Sequence, residues 1–140
     1  SVAMKVIKRI EDNIPFSLHD SRIIKWECAE DYLVIYLDNV FEYTNDSEKF
    51  YPASMAFEGI DLEECNVLVF NDSLEDGRFS GRKYGIKEFI KEYGDAEFEI
   101  ITETYGYCST VLDGLLWIDG CDPISSTIHI WNPGDIVFLY

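Results

Sequence analysis

Positive charge is what this 140-residue chain has least of, with 11 Lys and Arg against 27 Asp and Glu and a net charge of −16. No Lys or Arg occurs after Lys91. From Glu92 to Tyr140 nine acids stand alone, a charge of −9 against −7 for the rest of the chain. Such a field repels nucleic acid and anionic membranes and favours a basic partner. No apolar run approaches the ~18 residues that would span a membrane. The opening Ser1-Val2-Ala3-Met4-Lys5 lacks the basic and apolar segments of a signal peptide. It reads as a cloning scar over 1–3, with a single β-rich domain over 4–140. The four cysteines Cys28, Cys65, Cys108 and Cys121 form no C-x-x-C pair, so zinc-type spacing is missing. Reduced thiols in a cytoplasm are the expectation.

Reactive motifs are missing as well. No G-x-S-x-G elbow occurs, and no D-x-[DN]-x-[DN]-G calcium loop. The stretch Gly77-Arg78-Phe79-Ser80-Gly81-Arg82-Lys83 has glycines and cations but not the phosphate-loop spacing, and reads as a basic loop. Acid pairs such as Glu63-Glu64 and Glu75-Asp76 follow from the acid content alone. Only two histidines exist. His19-Asp20 lies in a loop and His129 in a strand, so a metal-dependent hydrolase would need them to converge. No cofactor and no catalytic residue is assigned.

Large side chains are abundant: nine Phe, nine Tyr and three Trp, a composition that suits strands. Between Arg22 and Cys28, Ile24, Trp26 and Cys28 alternate with Lys25 and Glu27. From Tyr32 to Leu37, Leu33, Ile35 and Leu37 share a side. The two runs form an expected hairpin about Glu30-Asp31. Phe41 and Tyr43 extend the second strand, and Asn45-Asp46-Ser47 is a loop. Ser54 to Gly59 and Asn66 to Phe70 read as two more strands. Cys28, Cys65 and Cys108 fall in strand-like stretches. Ile86, Phe89, Ile90 and Tyr93 repeat at i, i+3, i+4, i+7, which predicts one amphipathic helix over 83–93, stopped by Gly94.

Ala96 to Tyr105 sets Glu97, Glu99 and Glu103 against Phe98, Ile100 and Thr102, which predicts a wet acidic face. Asp113-Gly114 between Tyr107–Leu112 and Leu115–Asp119 suits a tight hairpin turn. Asn132-Pro133-Gly134-Asp135 suits a type II turn between Ser126–Trp131 and Ile136–Tyr140. The expected fold is mainly β (α+β): an antiparallel β-sandwich or open barrel of about 8–10 short strands with one helix.

The stretch Phe16-Ser17-Leu18-His19-Asp20-Ser21-Arg22-Ile23, with the strands that follow it, resembles the "LHD" opening of small acidic bacterial proteins. Some of these are classed as immunity proteins of polymorphic toxin systems. The resemblance covers about the first quarter of the chain and rests on Leu18, His19 and Asp20. It implies a non-enzymatic protein that binds a toxin domain in a bacterial cytoplasm.

The functional expectation is therefore a binding protein for a basic partner. Glu97, Glu99, Glu103 and Asp119 form the acidic face, and Tyr105, Tyr107, Trp117 and Trp131 serve as aromatic anchors. A carbohydrate- or small-ligand-binding sandwich using the same aromatics is the alternative, and the His19–Asp20–His129 hydrolase a second. An unprotected final strand would also allow a homodimer by edge pairing.

Overall fold

Alternating apolar residues fix the strands, and three breaks in that alternation fix how the strands join. In the computed structural model, which describes residues 4–6, 16–42, 49–71 and 80–140, ten strands and one α-helix are seen. The strands are β1 (Phe16–Ser17), β2 (Arg22–Ala29), β3 (Tyr32–Glu42), β4 (Lys49–Glu58), β5 (Asn66–Phe70), β6 (Gly81–Gly85), β7 (Glu97–Gly106), β8 (Ser109–Trp117), β9 (Ile124–Trp131) and β10 (Ile136–Leu139). The helix α1 spans Ile86–Tyr93, and a short 3₁₀ turn covers Leu62–Glu64. The protein is mainly β, with every strand pair antiparallel. Nine strands run in the order β10-β4-β3-β2-β7-β8-β9-β5-β6, and β1 pairs with β3. One continuous antiparallel sheet thus carries all ten strands.

The buried side chains share one face. Leu33, Ile35 and Leu37 of β3 lie opposite Phe57, Met55 and Ala53 of β4, and all six are buried. The β2–β3 hairpin forms as expected, but its first strand does not keep simple alternation. The register shifts between Ile23 and Lys25, so Ile23 and Trp26 point inward and Ile24 is exposed. One extra residue at a bulge reverses the pattern on either side of it.

The helix is shorter than 83–93. Gly81–Gly85 pairs residue for residue with β5, and helical structure begins at Ile86. Its apolar stripe packs beside β5, β6 and the 3₁₀ turn and reaches the core. There Phe89 meets Trp26 edge to face at 5.5 Å. Two turns also differ from expectation. Asp113-Gly114 lies inside β8, and the chain reverses instead at Tyr107-Cys108, where Cys108 has φ 48. Cys108 is therefore a turn residue rather than a strand residue. Asn132–Asp135 does not close a hairpin: β10 crosses away from β9 to pair with β4. Gly134 lacks the positive φ that a type II turn requires at its third residue. A Cβ there would lie 2.1 Å from the Glu58 carbonyl oxygen, so close backbone approach explains this glycine.

Ser54–Gly59 and Asn66–Phe70 lie in strands that do not adjoin each other. Residues 7–12 of the stretch Met4 to Asp12, whose sequence reads equally as a strand or a helical turn, lie outside the described residues, as do Tyr43, the Asn45–Ser47 loop and residues 77–79 of the basic loop. All four cysteines are free. Among the described residues, no helix is long and apolar enough to cross a membrane.

Candidate functional site: an acidic groove beside Trp117

The two halves of the sheet meet along a very short seam. Arg22 and Ile23 of β2 pair with Glu99 and Phe98 of β7, and the pairing then ends. The Leu18-His19-Asp20 sequence extends this seam as a set of fasteners. Leu18 is wholly buried. His19 Nδ1–H donates to the Ile101 carbonyl at 2.7 Å, which places the ring proton on that nitrogen. Asp20 N–H donates to the Ile100 carbonyl at 2.8 Å, and Ile100 N–H returns to Ser21 O at 2.8 Å. Asp20 has φ 66, a conformation Asp tolerates better than most residues. The motif thus ties the start of β2 to a bulge in β7.

That bulge, between Ile100 and Thr102, also redistributes the expected acidic face. Glu97 and Glu99 lie opposite Trp117 and Leu115, on the outer face. Beyond the bulge the parity reverses. Glu103 lies opposite buried Leu112, and Tyr105 opposite buried Thr110, so both point to the core side. Glu103 accepts from Leu18 N–H at 2.5 Å and from the Tyr105 hydroxyl at 3.5 Å. Burial raises the Glu103 carboxyl above its ordinary range, against the lowering effect of these donors. Tyr105 is also raised, first by burial and then by Glu103. The two are structural partners rather than surface anchors.

The remaining outer-face residues converge. Arg22, Glu97 and Trp117 line one groove of about 810 Å³ with Glu92, Tyr93, Asp95 and Asp119. Ile118, Gly120 and Cys121 complete its rim. Glu99 holds the indole in place by accepting from Trp117 Nε1–H at 2.9 Å. The Arg22 guanidinium lies 4.7 Å from the centre of the Trp117 ring and 3.0 Å from Glu97 Oε1. Asp119 reaches the rim because the chain turns at Asp119-Gly120. Cys121 N–H bonds to the Ile118 carbonyl at 3.1 Å, and Gly120 has the φ of 77 that a type II turn needs at its third residue.

Four carboxylates and one guanidinium line this groove, a local charge of −3. Among the described residues, Glu92, Asp95 and Asp119 make no ion pair. The C-terminal end of α1 also opens here, with Glu92 and Tyr93 on the wall, and its carbonyls add partial negative charge. The arrangement suits a cation with an apolar stem.

The other expected residues lie elsewhere. Tyr107 is 89% exposed in the β7–β8 turn and Trp131 is 38% exposed. Their rings sit 6.4 Å apart at the far end of the sheet from Trp117. His129 pairs across to Val111, which pairs to Thr104. That is two strands and three residues from the Ile101 carbonyl that holds His19, more than about 10 Å by strand geometry. The His19–Asp20–His129 constellation does not assemble. Among the described residues no group of three or more His, Cys, Asp or Glu is placed to hold a metal ion.

Arg22, Glu92, Tyr93 and Asp95 were not anticipated as site residues. Their signal is three-dimensional, since residues about 70 positions apart meet only because β2 pairs with β7. No family model, no curated protein and no solved structure matches this chain.

Proposed function

We propose that this chain is a non-enzymatic binding protein whose groove beside Trp117 receives a basic segment of a protein partner. The observation that carries the reading is the groove's charge: four carboxylates against a single guanidinium, which Glu97 already neutralises. The whole molecule supports it. A net charge of −16 accelerates encounter with a cationic partner, and the half-buried Trp117 ring supplies affinity as contact desolvates it. The same charge on every copy opposes self-association through the open β10 edge. The LHD resemblance points the same way, toward a basic toxin domain as the partner and a bacterial cytoplasm as the place of action.

The test uses a defined probe. A decapeptide carrying four arginines is titrated while tryptophan fluorescence is followed, at about 20 mM and about 300 mM NaCl. Saturable binding that weakens about tenfold or more at the higher salt is expected. No saturable binding at low salt, or affinity indifferent to salt, would refute the reading.

A further inference from the structure

Among the described residues Arg22 is the only cation lining the groove, and its seating shows what kind of cation the groove accepts. Its guanidinium lies over the Trp117 ring at 4.7 Å while its Nη1 meets Glu97 at 3.0 Å. The ring is fixed at its edge, where Trp117 Nε1–H donates to the Glu99 carboxylate at 2.9 Å. A guanidinium carbon above an indole with one N–H on a carboxylate is a seat that suits a planar, weakly hydrated cation. A compact, strongly hydrated ammonium gives up more on leaving water for such a seat.

Arg22 is also free to leave. Its side chain is 34% exposed, and its guanidinium is held by one ion pair and one ring. The strand itself is fastened independently of that side chain. Arg22 N–H donates to Asp38 Oδ1 at 2.7 Å, and Arg22 pairs with Glu99 through the backbone. The side chain can therefore swing out without undoing the β2–β7 seam. Once it leaves, Glu97 and the ring face are open beside Glu92, Asp95 and Asp119, which make no ion pair among the described residues.

We infer that the groove selects arginine over lysine in its partner, and that Arg22 is an internal competitor which a partner arginine displaces. This rests on the binding reading of the groove and names both its ligand chemistry and its regulation. The unusual consequence is that removing a side chain from the site should improve binding.

The experiment is calorimetric titration of the wild-type chain and Arg22→Met with two decapeptides of one sequence, bearing four arginines or four lysines. Met keeps an apolar stem on Trp117, and Arg22→Gln serves as a second variant should Met perturb the fold. The arginine peptide is expected to bind the variants about tenfold more tightly than wild type, and the lysine peptide to gain less than about threefold. No gain for the arginine peptide overturns the inference while leaving the binding reading intact. Equal gains for both peptides do the same, since they would report net charge alone. Failure of both peptides to bind any form removes the inference and the binding reading together.

Discussion

Glu103 stands where β7 turns its side chains toward the core, and it has an ionisable group there instead of an apolar one. Its carboxyl is raised chiefly by burial. A raised carboxyl in the folded state binds its proton more tightly than the same group in the unfolded chain. The folded state then holds more protons between the ordinary and the raised value, so stability falls as pH rises through that window. Glu103→Gln keeps an oxygen for Leu18 N–H and removes the titration. Its stability advantage over the parent is expected to be smallest near pH 4 and to grow toward pH 7, read from urea midpoints at each pH. A constant difference would show that Glu103 does not titrate in this way. Tyr51 offers a second residue-scale test. Among the described residues its hydroxyl is enclosed without a hydrogen-bond partner, and it is pushed up to about 12 by burial and then by neighbouring Glu42. Tyr51→Phe is expected to be neutral or to stabilise by up to about 1 kcal/mol. A loss beyond about 1 kcal/mol would reveal a bond that the hydroxyl makes after all.

The chain contains two Asp-Gly dipeptides in β8 and just after it, and they have opposite roles. Asp113-Gly114 has the residues of a tight turn, yet it runs straight through β8. Gly114 is needed because a Cβ would lie 1.9 Å from the Glu99 carbonyl oxygen, beside the β7 bulge. Asp119-Gly120 makes the turn, with φ 77 at Gly120 and open space around it. Substitution separates the two causes. Gly114→Ala and Gly114→Asn are both expected to cost about 2–3 kcal/mol, because any side chain collides there. Gly120→Ala is expected to cost about 1–2 kcal/mol, and Gly120→Asn less, because Asn tolerates the left-handed region. Urea unfolding checks this, and an Asn rescue at 114 would contradict the collision.

Periodicity found the Tyr32–Leu37 part of β3 and the apolar stripe of α1 because those stretches keep one period, and β3 breaks step only past Leu37. It misassigned Ile24 and Glu103 because each lies at or past a bulge, and a bulge is a two-strand event that one strand's sequence does not announce. The same holds for β10, whose partner is chosen by the crossover to β4 and not by the turn before it.

Across the whole molecule, charge was the most legible property and topology the least. The run from Glu92 onward without a single Lys or Arg is visible in the chain, and so are Glu97, Trp117 and Asp119 as surface candidates. That Arg22 completes their groove depends on β2 meeting β7 over two residue pairs, a long-range choice. The central question is whether binding belongs to this groove or to the net charge. Two variants of equal charge answer it. One carries Glu92→Gln, Asp95→Asn and Asp119→Asn in the groove. The other carries Glu30→Gln, Glu58→Gln and Asp135→Asn, exposed acids near the opposite end of β2. Each has a net charge of −13, three acids fewer than −16. The decisive measurement is the affinity of both for the four-arginine peptide at low salt. The groove variant is expected to bind about tenfold or more weakly than the distal variant, which stays within about threefold of wild type. Equal losses in the two would contradict a groove-centred site and leave only a diffuse acidic field.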